Sequence, residues 1–233
     1  MIGPSSSSAE LIAHLQTLRS EENISGMARF GIVTETALGI SNSDLRKIAR
    51  TVKQSNGRAL ELWQGNIREA RLLALYTAEP QKLTANLART WSDNFHSWEI
   101  VDTAADLYVE AGLKALIPEF AADDREFVRR TAFAMIASAA VHLKNEPDDT
   151  ILAWLPLIDA HARDPRNFVR KAVNWALRNI GKRNLHCHAR ACTVAERLAA
   201  SDDRTARWIG KDTVRELKSE KVIARVERKS ATR

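Results

Sequence analysis

Between residues 9 and 20 the apolar side chains Leu11, Ile12, Leu15 and Leu18 recur at three- and four-residue spacings, so the segment from about Ala9 to Ser20 reads as a helix with one apolar face. Similar patterns continue to the end of the chain. Turn-forming residues punctuate them: Gly39-Ile40-Ser41-Asn42-Ser43 ahead of Leu45, then Glu79-Pro80, Ile117-Pro118, Glu146-Pro147, Asp164-Pro165 and Ser201-Asp202-Asp203. Runs of period-two alternation are missing, and the one hairpin-type dipeptide, Asn56-Gly57, falls between two helical patterns. An all-α protein is predicted.

Sliding the chain against itself exposes a repeat. Phe127-Val128-Arg129-Arg130 is echoed 41 residues on by Phe168-Val169-Arg170-Lys171, and 40 residues later by Trp208-Ile209-Gly210-Lys211. Each unit follows an acidic turn, at Asp123-Asp124, Asp164-Pro165 and Asp202-Asp203. A period near 40 built from two helices is the pattern of HEAT or armadillo stacking, where neighbours bury what one unit cannot. The expected fold is therefore a right-handed α-solenoid of HEAT/armadillo-like repeats with a basic concave surface. In each unit the aromatic and aliphatic pair should point into the stack. The fourth position should then align Arg130, Lys171 and Lys211 as a basic ladder, with Arg129, Arg170, Arg178, Lys182, Arg183 and Arg215 on the same helices. A merely solvated face is the alternative, since charge runs usually are that. Domain limits follow: residues 1–8, rich in serine, read as disordered; 9–219 form a single repeat domain; and 220–233 are a charged tail, either a frayed helix or a loose basic arm.

Composition sharpens this picture. With 45% apolar residues the chain can bury a core, and a formal charge of +6 favours a polyanionic partner. A ladder of cations along one surface matches a phosphate backbone, where each neutralised phosphate releases counterions. The start lacks a signal-peptide pattern, and no stretch approaches the roughly 18 apolar residues of a membrane span, so a cytoplasmic monomer without membrane contact is expected. Only two cysteines occur, Cys187 and Cys192, and no disulfide framework is implied.

Few residues invite chemistry. Trp98 and Asp102 stand at i and i+4 of one helical segment and so share a face. Trp175 occupies the place that Ala134 holds in the preceding repeat, which suggests a special surface; core packing of either tryptophan, with Asp102 as a salt-bridge partner, is the alternative. His186-Cys187-His188 with Cys192 has zinc-preferring side chains, but on one helix the two cysteines lie about 500° apart and adjacent residues diverge. No metal and no cofactor is expected. His96 reads as a surface histidine or as a support for the Trp98 segment.

Seven stretches in order resemble the bacterial HEAT-like-repeat alkylpurine DNA glycosylases, the AlkD-type DNA alkylation repair proteins. They are Gly26-Met27-Ala28-Arg29-Phe30 with Leu38-Gly39-Ile40, Leu45-Arg46-Lys47-Ile48-Ala49, Ala59-Leu60-Glu61-Leu62-Trp63, Glu69-Ala70-Arg71-Leu72-Leu73-Ala74, Trp98-Glu99-Ile100-Val101-Asp102, Phe127-Val128-Arg129-Arg130-Thr131-Ala132 and the run from Phe168 to Arg178. The resemblance spans roughly residues 24 to 217. It implies base excision repair of duplex DNA carrying N3- or N7-alkylated purines. It also implies a catalytic group of Trp98, Asp102, Arg130 and Trp175, and no deep base-flipping pocket. Phe30, Arg46 and Lys47 join the DNA-facing set, together with Arg129, Arg170, Lys171, Arg178, Lys182, Arg183, Lys211 and Arg215. Phe30 falls where the family's best-known member carries a tyrosine, so a ring is kept and a hydroxyl lost; the segment from Gly31 to Leu38 differs in length. A non-catalytic binder of damaged or branched DNA and a protein-binding scaffold are the competing readings.

Overall fold

The computed structural model describes residues 2–231, and these contain helices and no strand. Where the sequence predicts one domain over 9–219, the chain gathers into two compact units, Met1–Leu113 and Lys114–Arg233. The first holds α1 (Ser8–Thr17), α2 (Glu21–Ala28), α3 (Asn42–Val52), α4 (Asn56–Gln64), α5 (Arg68–Thr77), a 3-10 turn at Pro80–Lys82, α6 (Ala85–Ser92) and α7 (Trp98–Glu110). The second holds α8 (Leu116–Ala122), α9 (Glu126–His142), α10 (Asp148–Leu152), α11 (Leu155–Ala160), α12 (Asn167–Gly181), α13 (Leu185–Ala199), α14 (Arg204–Leu217) and α15 (Glu220–Ala231).

Serine and threonine begin most helices of the first unit. Ser7, Ser20, Ser41, Ser55 and Thr84 each accept an otherwise unpaired backbone N–H in the opening turn of α1, α2, α3, α4 and α6. That use of serine corrects the expectation for the N-terminus. Ser7 and Glu10 form a reciprocal capping box, the Ser6 hydroxyl accepts from Gly3 N, and the buried Arg58 guanidinium donates to the carbonyls of Pro4 and Ser6 at 3.0 and 3.3 Å. Residues 2–8 are thus fastened to α4; Met1 lies outside the described residues. α5 runs through the middle of the unit, and every residue of it except Tyr76 is buried.

In the second unit the pairs α8/α9, α11/α12 and α13/α14 are three successive two-helix repeats, with α9, α12 and α14 side by side. The repeat read from the sequence is present, but its first position behaves differently. Val128, Val169 and Ile209 are buried, while the aromatic residues before them stay at the surface. Phe127 and Phe168 are half-buried with ring centroids 5.3 Å apart, and Trp208 is exposed beneath the Arg170 guanidinium at 5.2 Å. The aromatic row forms an edge instead of a core seam. α13 and α14 cross very closely: a Cβ on Gly210 would stand 2.1 Å from the Ala199 nitrogen. The charged tail is a packed helix, whose Val222 and Val226 are buried and whose Ser230 hydroxyl accepts from Leu185 N; Thr232 and Arg233 lie outside the described residues.

Candidate nucleic-acid interface

α7 owes its position to a charge network that the sequence alone does not reveal. Glu69, fully buried on α5, accepts the backbone N–H groups of Leu38, Gly39 and Ile40 at 2.8, 3.0 and 3.3 Å. Arg68 beside it bridges two carboxylates, at 2.9 Å to Glu69 and 2.9 Å to Glu99 in the first turn of α7. Ser97 donates to the other Glu99 oxygen. A buried charge is tolerated only when paired and hydrogen-bonded, and here each is. Gly39 completes the arrangement: its φ is +80°, and a Cβ there would lie 2.3 Å from the Ser20 carbonyl.

With Glu99 locked inward, α7 turns a different stripe outward. Trp98 and Asp102 are half-buried one turn apart, and the exposed Asp106 and Glu110 continue the line. The Trp98 indole Nε1 donates to the Phe30 carbonyl at 3.0 Å, which fixes the ring and joins two residues proposed from the sequence. Phe30 itself presents a ring that is 70% exposed, next to a shallow cavity of about 590 Å³ under α2. Its missing hydroxyl therefore leaves the ring available for packing or stacking. Nearby, Arg71 donates to His96 Nε2 at 3.1 Å and lies over the Trp63 ring, itself stacked on Trp91 at 4.6 Å. Desolvation of the ring and then the Arg71 charge hold His96 below the ordinary imidazole value, so it stays neutral near pH 7. His96 is exposed, but it is a partner of Arg71 and not an isolated surface residue. Arg46 is exposed over Tyr76 at 5.3 Å, and Lys47 pairs with Asp44 at 2.8 Å.

In the second unit the basic ladder is uneven. Lys171 and Lys211 are exposed rungs, whereas Arg130 is buried and donates through Nη1 to the Phe168 carbonyl at 2.8 Å, across the α9–α12 junction. Arg129 grips the acidic turns, 3.0 Å from Asp124 and 2.9 Å from Asp164. Burial works against the charge on Asp164, yet hydrogen bonds from Arg166 and Arg129 prevail and hold its carboxyl at about 2. Arg178 pairs with Asp212 and Glu216, Lys182 with Glu216, and Arg215 with Asp212. Arg183 is the clear departure from the sequence reading. It is buried, 2.9 Å from Asp148, with further bonds to the carbonyls of Ala140, Lys144 and Glu146, which makes it a strut of the fold and not a DNA-facing side chain. Trp175 is half-buried on α12, where the equivalent Ala134 of α9 is fully buried. Cys187 is buried; Cys192 Sγ lies 3.5 Å from His188 Nε2, whose other nitrogen meets the Gly181 carbonyl.

Sequence reasoning missed Arg68, Glu69 and Glu99. A signal was present, since three charged residues, Arg68, Glu69 and Arg71, fall in the first turn of a helix whose next four residues are apolar, and Glu99 sits between Trp98 and Ile100. The groups 30 residues away that would accept these charges carried no such mark.

A family model described as DNA alkylation repair enzyme matches residues 11–217. Among solved structures, one described as belonging to "a new family of proteins related to the HEAT-like repeat DNA glycosylases with affinity for branched DNA structures" superposes with a TM-score of 0.75, at 16% identity, over 91% of this chain and 95% of that one. The HEAT-like helical fold is thereby shown. No curated protein matches the sequence. Among the described residues, no helix is long and apolar enough to cross a membrane.

Proposed function

The chain belongs to the DNA alkylation repair enzyme family, and we propose that it is a monofunctional glycosylase, acting as a monomer, that hydrolyses the N-glycosidic bond of N3- or N7-alkylated purines in duplex DNA. The observation that carries this reading is the outward face of α7, where Trp98 and Asp102 stand one turn apart with the indole tethered to the Phe30 carbonyl. Alkylation at N3 or N7 makes the purine cationic, so the base leaves without a proton from the protein. The sugar then develops oxocarbenium character. A carboxylate at Asp102 stabilises that charge and orients the attacking water, and the Trp98 ring presents an electron-rich face to it. Neither task calls for a nucleophile or for an acid and base pair.

Trp175, on α12 of the second unit, is kept in the proposed catalytic group on the resemblance alone. Arg130, buried and with its guanidinium bonded to the Phe168 carbonyl, is kept there on the same ground. Phe30, Arg46 and Lys47, with Arg129, Arg170, Lys171, Arg178, Lys182, Lys211 and Arg215, are the proposed contacts to DNA. Lys171 and Lys211 are foremost among them, because the other basic side chains of α9, α12 and α14 are largely engaged by carboxylates, carbonyls or rings. Sequence-independent backbone contacts of this kind suit lesion recognition without a deep pocket.

The test is release of 7-methylguanine or 3-methyladenine from methylated duplex. Asp102→Asn should lower the rate by about 10²- to 10³-fold while leaving duplex binding intact. A second reading is favoured by the described affinity of the structurally similar protein for branched DNA: binding of junctions without chemistry. Parent and variant that both bind junctions and release no base would establish it and end the glycosylase proposal.

A further inference from the structure

The third two-helix repeat differs from the first two at its opening aromatic residue. Phe127 and Phe168 lean on each other, whereas Trp208 near the start of α14 is 39% exposed, and its ring contact is the Arg170 guanidinium of α12 at 5.2 Å. Among the described residues it is the one large exposed apolar side chain of α12 and α14. A lone exposed ring needs no explanation by itself. Its surroundings do.

Cations surround this ring, and carboxylates do not hold them. Arg204 and Lys211 stand at i−4 and i+3 from Trp208, so the three share one face of α14, and all are exposed. Neither Arg204 nor Lys211 forms an ion pair among the described residues. Arg170 is likewise without a carboxylate: besides the ring it has a hydrogen bond to Asn167 Oδ1 at 3.3 Å, and its Nε is buried without a partner. α12 contains no acidic residue. The acids of α14 and of the turn before it are mostly engaged elsewhere. Asp203 accepts from the Thr205 and Ala206 nitrogens, Asp212 takes Asn174, Arg178 and Arg215, and Glu216 takes Arg178 and Lys182. Asp202, exposed in the preceding turn, is the remaining carboxylate there against these three cations.

We propose that Trp208 is a stacking platform for an unpaired base of a DNA strand, whose flanking phosphates are met by Arg170, Arg204 and Lys211. The inference rests on the DNA-binding part of the function proposed above and is independent of base release. A ring flanked by cations fits a nucleotide on both counts: the indole takes the flat face of any base, and the cations take the backbone on either side of it. Arg170 steadies the indole before the base arrives. A paired base inside a duplex has both faces covered by its neighbours, so the site selects a gap, a bulge or a single-stranded end. With Trp208 alone as exposed apolar area, α12 and α14 offer too little for a protein partner.

The experiment measures affinity for two unmodified DNAs, a blunt duplex and the same duplex carrying a single-stranded thymidine overhang. The parent should prefer the overhang. Trp208→Ala should remove that preference, with a loss of about 5- to 150-fold on the overhang substrate, and should bind the blunt duplex as the parent does. Trp208→Phe, which keeps a ring, should recover most of the loss. Titration of the parent with an oligothymidine should quench tryptophan emission, and Trp208→Phe should bind it with a smaller quench, a signal that mere support of the fold would not give. Arg204→Gln should reduce the slope of log K against log salt for the oligothymidine by about 0.7, the share of one phosphate on a single strand. A parent that binds both DNAs equally would overturn the platform and leave the proposed duplex binding standing. A Trp208→Ala variant that keeps the parent's preference would overturn it as well, and a lowered melting temperature in that variant would assign the ring to the α12–α14 junction alone. Equal losses on both DNAs would overturn it in favour of a general groove contact. A parent that binds no DNA at all would overturn the proposed function and this inference together.

Discussion

Replacing Glu69 by alanine removes, at one stroke, the acceptor for three backbone N–H groups and one partner of a buried arginine. The carboxylate is fully buried, with the amides of Leu38, Gly39 and Ile40 at 2.8 to 3.3 Å and Arg68 Nη1 at 2.9 Å. Each hydrogen bond to a charged group is worth about 1.5–3 kcal/mol, but these figures do not add, because the variant also escapes the cost of burying the carboxylate itself. What matters is the groups left behind. Arg68 keeps Glu99 at 2.9 Å, while the three amides lose their acceptor and cannot turn to solvent without moving Leu38 and Ile40 out of the core. Removing one partner of a buried ionic group costs about 3–5 kcal/mol, and Glu69→Ala should fall in that range. Both units contain tryptophans, so fluorescence would blend their unfolding; amide hydrogen exchange of the peptide covering residues 37–41, read by mass spectrometry, isolates the effect. Exchange there should speed up by about 10²-fold or more. Glu69→Gln, which keeps one acceptor oxygen, should lose less. Exchange within threefold of the parent in Glu69→Ala would refute the assignment of this carboxylate as the anchor of the 38–40 loop.

Other outcomes follow from the same geometry. Asp164 has a depressed folded pKa of about 2, so its stabilisation is complete above the unfolded value near 3.8 and is lost as pH falls through 2; the deficit of Asp164→Asn, roughly 2 kcal/mol at pH 6, should shrink to about 0.4 kcal/mol at pH 2 in urea titrations. Gly210→Ala places a methyl group against the α13 backbone and should lower stability by about 1–3 kcal/mol or more, measured by thermal melting; a neutral result would mean that the crossing is looser than described. Lys171→Gln and Lys211→Gln should each reduce the salt slope of duplex binding by about 1 without changing unfolding, whereas Arg183→Gln should do the reverse, and equal behaviour of the three would undo the distinction between rungs and struts.

The repeat was legible because the phrase Phe-Val-Arg followed by a cation falls in the first turns of both α9 and α12 and is varied in α14, and because the helix-forming pattern is unbroken by competing strand signals. Its depth was not. A sequence assigns Phe127 to the interior on hydrophobicity, but the first turn of a helix lies at the rim of a stack, where a ring meets its counterpart at a tilt and the smaller valine after it enters the core. Arg130 was misjudged in the opposite sense, since a cation is taken for a surface group until the Phe168 carbonyl that receives it is known. Serine content suggested a loose start, yet Ser7 and Glu10 already carried the spacing of a capping box. Trp98 and Asp102 were found by helical spacing, and Glu99 between them was overlooked because its partner Arg68 is 31 residues away.

The two junctions along α9, α12 and α14 are fastened by different chemistry. Arg129 clasps the carboxylate of the next repeat at Asp164, while Arg170, its counterpart one repeat later, rests on the face of Trp208. The second junction also carries ion pairs, from Arg178 and Lys182 on α12 to Asp212 and Glu216 on α14, so acid and strong brine act on both seams. What differs is the opening rung of each: the one at Asp164 holds a carboxylate that acid can discharge, and the one at Trp208 holds a ring that it cannot.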